Sequence, residues 1–341
     1  MCSRNEIASV DKIDFIIPWV DGNDEAWRKE KNQFNVSVDY DAREQRYRDW
    51  DNLKYWFRGV EKYAPWVNKI YFVTWGHIPE WLNVENEKLV VVKHSDFIPK
   101  QYLPTFNAST IELNFHRIEG LSEKFVVFND DLFLISKTKK TDFFKKGMPC
   151  DTAALNVHCL DVNVGFNYAS FQAIGIVNKY FPFHSTLLKN WKKWFNLKNG
   201  KLLLRTLYLF PCPRFSGIYQ PHLANSYLKT TYLKLWEKEE IVLNETCTHK
   251  FRNKLDYSQW VFRNWQLASG NFENRKIIGK SFYIEEDRNC IDEICSFIEK
   301  QKGKMVCIND GEMTNDKFEK NKIRIIESFE KILPDKSKFE R

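Results

Sequence analysis

The stretch EKFVVFNDDLFLI, residues 123–135, contains two apolar runs separated by an asparagine and two adjacent aspartates. Two neighbouring carboxylates repel each other and resist removal from water, unless a cation or a proton is held with them. The stretch therefore indicates that Asp130 and Asp131 lie at the end of a buried strand and hold a charged partner.

The residues before this stretch alternate between strand and helix patterns. Strands are predicted in KIDFIIPWV (12–20), KIYFVTWG (69–76), KLVVVKH (88–94) and KFVVF (124–128). Helices are predicted in DNLKYWFRGVEKYA (51–64), capped by Asp49 or Asp51, and in STIELNFHRIEG (109–120), with Ser109 and Glu112 as a capping box. The alternation predicts a mainly parallel, Rossmann-like or GT-A-like α/β sheet with helices on both faces.

The rest of the chain predicts a helical insertion followed by a second α/β part. Residues 137–220 read as an insertion or lid that includes the basic, tryptophan-rich helix STLLKNWKKWFNLK (185–198). Three more helices are predicted, in LANSYLKTTYLKLWEKEE (223–240), DYSQWVFRNWQLA (256–268) and DKFEKNKIRIIESFEKIL (316–333), with Asp256 and Gln259 as a cap pair for the second. KMVCIND (304–310) is predicted to be a strand.

Composition narrows the class of protein. The 341 residues suffice for one elaborated domain or two closely joined ones, and 43% hydrophobic content excludes a disordered chain. A net charge of +7 favours anionic partners. The eight cysteines contain no C-x-x-C pair, the N-terminus has no apolar signal region, and no long uninterrupted apolar run occurs. These features predict a cytoplasmic protein with reduced thiols.

Polar motifs follow two of the predicted strands. WVDGND (19–24) follows the first strand, and NDD (129–131) follows the fourth. Because ligands of open α/β sheets bind outside the carboxyl ends of the strands, both motifs are expected at one site. Asp130 and Asp131 suit Mg²⁺ or Mn²⁺ bound to a diphosphate, and WVDGND suits contacts to ribose or base. The alternative for each motif is an ordinary turn, with a helix cap in the case of the aspartate pair.

Several single residues are further candidates. His222 suits a general base, while Arg252, Arg46 and Arg48 suit phosphate clamps because a guanidinium stays charged and binds phosphate through two bonds. Asp310, after Asn309, repeats the strand-end acid pattern. The alternatives are a structural histidine, surface salt bridges and a plain turn.

Four blocks together resemble the Stealth family, which includes bacterial capsular polysaccharide hexose-1-phosphate transferases and the animal lysosomal-enzyme N-acetylglucosamine-1-phosphotransferase. The first block is IDFIIPWVDGND (13–24). The second runs from RYRDWDNLKYWFRGVEKYAPWVNKIYFVTWGHIPEWLN (46–83) to LPTFNASTIELNFHRIEGLSEKFVVFNDDLFL (103–134). The third surrounds QPHLANSYL (220–228), and the fourth runs from THKFRNKLDYSQWVF (248–262) to VCINDGE (306–312). The resemblance covers residues 12 to about 335, although residues 137–210 carry none of the blocks.

The resemblance implies one Stealth-type phosphotransferase domain over residues 1–341. Within it, residues 12–135 would bind the nucleotide sugar, 137–220 would be the insertion or lid, and 221–335 would complete the catalytic site. The family's essential acidic pair, histidine and arginine fall on Asp130, Asp131, His222 and Arg252. Asp21 and Gly22 match the nucleotide-side motif, together with Asp24 and Arg48 as ligand-binding residues, and Asp310 joins the acidic pair as a metal ligand.

The implied reaction transfers hexose-1-phosphate from a UDP-sugar to a hydroxyl of a growing polysaccharide or a lipid-linked oligosaccharide. The hydroxyl attacks the β-phosphorus, UMP leaves, and a phosphodiester forms, with Mg²⁺ or Mn²⁺ as cofactor. The basic segment around Lys189, Lys192 and Lys193 is expected to face an anionic acceptor or its lipid carrier at the inner face of the cell membrane, and no nucleic-acid partner is expected. The alternatives are a metal-dependent glycosyltransferase that releases UDP, and a non-catalytic carbohydrate-binding protein.

Overall fold

A five-stranded sheet forms the centre of the computed structural model, which describes residues 12–34, 49–159, 165–287 and 290–341. Its strands are β1 (Ile13–Pro18), β2 (Ile70–Thr74), β3 (Leu89–Lys93), β4 (Lys124–Val127) and β8 (Asn225–Leu228). They lie in the order β3-β2-β1-β4-β8. The first four strands are parallel, and β8 pairs antiparallel with β4 at the edge. The predicted parallel α/β sheet is therefore confirmed for these four strands.

Alternate residues of the central strands enter two separate hydrophobic cores. Phe15 and Ile17 belong to one core, which also contains Trp56 and Val60 of α2 (Leu53–Tyr63). Ile16 belongs to the other core, with side chains from α4 (Ala108–Leu113), α10 (Lys229–Thr248) and α11 (Trp260–Ser269). Because successive strand residues point to opposite faces, this division places helices on both faces of the sheet, as predicted.

The two apolar runs of residues 123–135 belong to different sheets. The first forms β4, and the second forms β5 (Leu132–Leu134) of a three-stranded sheet with β10 (Gly279–Ile284) and β11 (Met305–Asp310). In that sheet β10 and β11 are parallel, whereas β5 is antiparallel to β11. The aspartate pair thus lies in the short crossing between two sheets, and the prediction of a mainly parallel architecture is only partly right because the sheets are mixed.

The predicted insertion, residues 137–220, contains most of the remaining elements. A small sheet joins β6 (Phe144–Lys145), β7 (Met148–Asp151) and β9 (Glu273–Asn274). The helices here are α5 (Lys140–Phe143), α6 (Gly165–Tyr180), α7 (Phe183–Lys189), α8 (Trp191–Trp194) and α9 (Lys201–Leu209). Phe183, Leu187, Trp194 and Leu209 form a third core with residues of α11. Motion of this segment as a lid stays a prediction.

The other helices are α1 (Glu25–Phe34), α3 (His94–Phe97), α12 (Ile291–Glu299) and α13 (Asn315–Ile332), and short 3₁₀ turns span Lys100–Tyr102, Phe115–Arg117 and Leu197–Asn199. Helix α13 ends shortly before Pro334, as predicted. None of the helices within the described ranges combines the length and apolar character needed to cross a bilayer.

Three local predictions are wrong. The helix predicted from residue 223 begins only at Lys229, because residues 225–228 instead pair with the exposed edge of β4. The capping box in α4 does not form: Asn107 is the N-cap, its side chain accepts a hydrogen bond from Ser109 N, and the helix ends at Leu113. Helices α2 and α11 begin after Asn52 and Gln259, neither of which makes a side-chain capping bond.

Candidate functional site

The chain reverses its strand order between β1 and β4. Strands β2 and β3 extend the sheet on one side of β1, and β4 lies on the other side. Such a switch point leaves a crevice at the carboxyl ends of the two adjacent strands. Asp21 follows β1 and Asp130 follows β4, so the topology brings the two predicted motifs to the same crevice.

Hydrogen bonds fix the loop after β1. His77 Nε2 accepts a bond of 2.8 Å from Asp21 N, and Asp21 Oδ1 accepts one of 2.8 Å from Asn23 N. Asp24 Oδ1 accepts a 2.7 Å bond from Trp27 N in the first turn of α1, while its other oxygen lies 3.7 Å from His77 Nδ1. Asp24 therefore caps a helix, and its nucleotide contact stays a prediction.

His77 was not predicted from the sequence. It carries the same signal as the other motifs, since it follows the carboxyl end of a strand, β2. Burial lowers the pKa of its imidazole, while the charges of Asp24 and Asp21 act in the opposite direction. A neutral ring with an unprotonated Nε2 is the form that can accept from Asp21 N. His77 thus positions the loop after β1.

The aspartate pair occupies the crossing between β4 and β5. The Asp131 carbonyl accepts a 2.8 Å bond from Ile308 N, so β11 holds the backbone of the pair. Asp131 is half-buried, and its Oδ1 atom is buried without a hydrogen-bond partner among the described residues. Asp130 is solvent-accessible. A buried carboxylate oxygen without a partner is costly, which makes Asp131 a candidate ligand for a cation.

Asp131, His222 and Cys307 form a compact group. One potential ligand atom from each of the three lies within 4.8 Å of the others. Cys307 Sγ donates to Asp131 Oδ2 over 3.4 Å, and Asn309 Nδ2 lies 3.4 Å from His222 Nδ1. His222 has a φ of 48°, a left-handed conformation that is uncommon outside glycine and is often found at functional sites.

Cys307 and Asn309 lie on one face of β11, since residues two apart in a strand point the same way. The same alternation directs Asp310 to the opposite face, and the compact group contains neither Asp310 nor Asp130. Cys307 was missed because a single cysteine in an apolar strand carries no signal by itself. Its spacing of two from Asn309 was the available clue. The metal role of Asp310 stays a prediction.

The surrounding protein disfavours charge on both aspartates, and the charge of Asp131 adds to this effect on Asp130. Desolvation by the surrounding protein is the largest cause that raises the pKa of Asp130, to about 7, and the charge of Asp131 adds to it. The charge of Arg252 lowers this pKa. Burial raises the pKa of Asp131 to about 6, although the hydrogen bond from Cys307 acts to lower it. Burial also lowers the pKa of the His222 imidazole. The site thus holds acids that would gain from a cation and a histidine that is neutral at pH 7.

Asp49 adds a further acid that the sequence interpretation had treated only as a helix cap. Burial raises its pKa, and the nearby charges of Asp51 and Asp21 add to the rise. Its own charge raises the pKa of Asp130. Asp49 therefore interacts electrostatically both with Asp21 in the loop after β1 and with Asp130 of the aspartate pair.

Arg252 reaches this site from a loop between α10 and α11. Asp256 lies at the centre of the loop: its carboxylate accepts bonds from His249 Nδ1 (2.6 Å), Asn107 Nδ2 (2.7 Å) and Asn253 N (2.8 Å). Asp256 is therefore a structural anchor and not a cap partner of Gln259. Arg252 itself is exposed, and its charge acts on Asp130.

Glu112 faces the same arginine. Burial raises the pKa of its carboxyl, and the charge of Arg252 partly offsets that rise. Gln259 donates to both Glu112 oxygens, at 3.4 Å from N and 3.1 Å from Nε2. Arg252 therefore interacts through its charge with both Glu112 and Asp130.

The structure thus brings Asp131 and His222 into one compact group, with Asp130 adjacent to Asp131 and Arg252 close enough for its charge to act on Asp130. Asp21 follows the neighbouring strand β1. The predicted Arg46 and Arg48 lie outside the described residues.

The oxygen ligands of the site fit the predicted divalent cation. Mg²⁺ and Mn²⁺ prefer carboxylate oxygens, and they take further oxygens from phosphate groups. The partnerless Asp131 Oδ1, with Asp130 beside it, meets that preference. Burial, followed by the charge of Asp131, raises the pKa of the Cys307 thiol well above its ordinary value, so this thiol is protonated in the metal-free protein.

Carboxyls with raised pKa values and a neutral histidine beside the ends of α/β strands are features typical of an enzyme active site. Sequence comparison is consistent with that class. The profile for Stealth protein CR2, conserved region 2, matches residues 46–151, and the profile for Stealth protein CR1, conserved region 1, matches residues 11–35.

Curated relatives match along nearly the whole chain. The capsular polysaccharide phosphotransferase WcwK of Streptococcus pneumoniae is 44% identical over 98% of this chain and 99% of its own length. The receptor polysaccharide phosphotransferase WefC of Streptococcus gordonii is 40% identical over 97% and 99%. The exopolysaccharide phosphotransferase cps2G of Lactiplantibacillus plantarum is 37% identical over 96% of each. The chain therefore belongs to the Stealth family, and it is a phosphotransferase.

Among solved structures, the glycosyltransferase GlyE of Streptococcus pneumoniae TIGR4 aligns over 91% of this chain and 78% of its own, with 12% identity and a TM-score of 0.26. A score this low supports no inference about fold or mechanism.

Proposed function

We propose that the protein transfers hexose-1-phosphate from a UDP-sugar to a hydroxyl of a growing capsular or other cell-surface polysaccharide, and releases UMP. The observation that carries this proposal is that Asp131 and His222 share one compact group, with Asp130 adjacent and Arg252 close enough for its charge to act on Asp130. These residues come from three distant segments of the chain. The polysaccharide acceptor is supported by the names of the relatives, which are capsular, receptor and exopolysaccharide phosphotransferases.

The reaction needs a base, a phosphate clamp and a site for a cation. His222 would take the proton from the acceptor hydroxyl as its oxygen attacks the β-phosphorus. The bond between that phosphorus and the bridging oxygen would break, and UMP would leave with the oxygen. Arg252 would hold the phosphoryl oxygens, where negative charge grows in the transition state. A lowered pKa keeps His222 neutral at pH 7, as a base must be.

Asp130 and Asp131 would hold Mg²⁺ or Mn²⁺ together with the diphosphate. When bound, the cation would supply positive charge to the diphosphate and the departing UMP. The partnerless Asp131 oxygen and the raised pKa values of both carboxyls support this assignment. Asp21 and the loop held by His77 would contact the nucleotide.

The test is a nucleotide assay on purified protein with Mg²⁺ or Mn²⁺, a panel of UDP-sugars and an acceptor oligosaccharide, in which UMP is resolved from UDP. We expect acceptor-dependent UMP, reduced at least about 100-fold in Asp131→Asn, His222→Asn and Arg252→Lys. The exposed Asp335→Asn change is the matched control and should leave the rate unaltered.

Acceptor-dependent UDP would instead identify a metal-dependent glycosyltransferase that uses the same acids on the same donor. Absence of both products with every donor, while sugar binding persists, would favour a carbohydrate-binding protein.

A further inference from the structure

The positive charge of the chain is concentrated in one segment. Residues 162–236 contain ten lysine and arginine residues and no aspartate or glutamate. The whole chain has 52 basic and 45 acidic residues, so the remainder has 42 against 45 and a net charge of −3. The segment therefore creates a local positive field that the net charge of +7 understates.

The basic cap, which we define as residues 183–209 and which comprises α7, α8, a 3₁₀ turn and α9, also exposes large apolar side chains. Leu197 is 87% exposed, Tyr208 83% and Leu204 69%. Leu188, Trp191 and Leu207 are exposed as well. These side chains lie among exposed cations, so apolar and basic groups share one part of the surface.

Helix α9 shows the arrangement most clearly. Lys201, Leu204, Arg205 and Tyr208 are spaced i, i+3, i+4 and i+7, which places them on one face of the helix, and all four are exposed. Leu209 is buried in the third core. The helix is thus fixed to the protein by one face and offers a mixed apolar and cationic face to its surroundings.

The cap is firmly attached and not a loosely packed element. His184 Nε2 lies 3.0 Å from Phe210 O, and Lys193 Nζ donates to Gly270 O (2.8 Å) and Phe272 O (2.6 Å). Lys193 is therefore used internally, whereas Lys189, Lys192 and Lys198 are exposed.

We propose that the basic cap docks on the surface of an anionic lipid bilayer. Exposed aliphatic and aromatic side chains between cations match the interface of such a bilayer, where apolar groups enter the acyl boundary and lysines meet acidic headgroups. A second copy of the chain fits less well, because an isologous contact would oppose like charges. A polysaccharide is bound mainly through aromatic faces and hydroxyl-binding groups. The cap offers the aromatic side chains of Trp191 and Tyr208, but its other large exposed apolar side chains are leucines, which suit a lipid surface better. This proposal rests on the proposed function in one respect: a lipid-linked acceptor would lie at the same bilayer surface.

The test measures binding of the full chain to vesicles by sedimentation, with phosphatidylcholine alone or with phosphatidylglycerol replacing part of it. The wild-type protein should bind only the anionic vesicles. The charge variant Lys189→Glu/Lys192→Glu/Lys198→Glu should lower the partition coefficient at least about 100-fold. The apolar variant Leu197→Ser/Leu204→Ser/Tyr208→Ser should lower it about tenfold or more.

Matched controls lie elsewhere on the surface. Leu233→Ser/Ile241→Ser removes apolar side chains that are 52% and 83% exposed on α10, and Lys276→Glu/Lys300→Glu/Lys320→Glu reverses three exposed lysines outside the segment. Both controls should bind as the wild type does. Thermal unfolding of each variant establishes that it is folded.

Three results would overturn the inference: no binding of wild type to anionic vesicles, equal losses in the control variants, or cap variants that bind normally. Cap variants that bind vesicles normally but lose transfer to polymeric acceptor would assign the surface to the acceptor. Release of UMP with a short soluble acceptor, expected to be unchanged in the cap variants, separates failure of this inference from failure of the proposed reaction.

Discussion

Glu112 provides a counter-charge to Arg252, the arginine proposed to bind the phosphoryl group. Its two carboxylate oxygens accept bonds from Gln259, and its charge interacts with that of Arg252. Because Arg252 interacts with Glu112 as well as with Asp130, the Glu112 carboxylate competes with the aspartates for the guanidinium. Glu112 is on this account a positioning residue.

We predict that Glu112→Gln, which preserves side-chain size, lowers kcat/KM about tenfold through loss of this charge. A double-mutant cycle with Arg252→Lys measures the coupling. The two losses should be less than additive, because both changes disturb one interaction. Strictly additive losses would show that Glu112 acts on general stability only.

A second prediction at this scale concerns pH. Burial raises the pKa of Asp131 to about 6 from an ordinary value of 3.8, so the folded protein binds this proton more tightly than the unfolded chain does. In metal-free protein, stability contributed by this carboxyl is full below about pH 4 and falls as pH rises to about 6 and beyond. The Asp131 carboxyl should therefore contribute less to the free energy of unfolding of metal-free protein at neutral pH than at pH 4.

Asp131→Asn mimics the protonated acid. We expect it to raise the melting temperature of metal-free protein at pH 8 by about 2–4 °C, on the order of 1 kcal/mol, and to have little effect at pH 4. Differential scanning calorimetry in a chelator checks this, with Asp335→Asn as control. An equal change at both pH values would mean that the carboxylate is not destabilising when charged.

At the scale of elements, helix α2 packs directly against β5, the strand that follows the aspartate pair. A Cβ atom on Gly59 would lie 2.7 Å from Leu134 O, which is backbone and has little room to move. Leu134 follows the aspartate pair by three residues. The small residue therefore lets the helix approach the strand that carries the acids.

Gly59→Ala should destabilise the protein by about 1–3 kcal/mol through this overlap, measured by urea unfolding. Gly175→Ala in α6 is the control, since nothing lies within 4 Å of its Cβ position, and it should be neutral or slightly stabilising. Equal stability of both variants would contradict the close packing of α2 on β5.

The elements also show what the sequence could predict. The first four central strands, the apolar stripe of α2, and helix α13 followed from local periodicity, which burial on one face imposes. The start of β8 did not, because Asn225 to Leu228 become a strand only through pairing with β4, about 100 residues away. Cys307 joined the site for the same reason, since the pairing of β11 with β5 is a long-range contact.

For the whole molecule, the end of the chain is tied to the core of the first half. Arg58 binds Glu340 through two bonds, of 2.9 Å and 2.8 Å, and also donates to Leu333 O at 3.0 Å. Both side chains are nearly buried. Burial raises the pKa of Glu340, but bonds from Arg58 and Ser337 outweigh it and leave the pKa below its ordinary value.

Glu340→Gln should cost about 3–5 kcal/mol, because it leaves the buried Arg58 charge without its carboxylate. Equilibrium unfolding by chemical denaturant checks this, with the exposed Glu319→Gln change as control. A loss no larger than that of the control would show that the tail contributes nothing to the fold.

The central claim is that the β-phosphorus moves with the sugar. The most direct measurement uses a UDP-sugar with ¹⁸O between the anomeric carbon and the β-phosphorus, and follows the product by ³¹P NMR. The proposed reaction breaks the bond on the other side of that phosphorus, so the ¹⁸O should appear in a new phosphodiester on the acceptor with UMP unlabelled. Recovery of the ¹⁸O in UDP, with the sugar joined to the acceptor by an unlabelled glycosidic bond, would contradict the account.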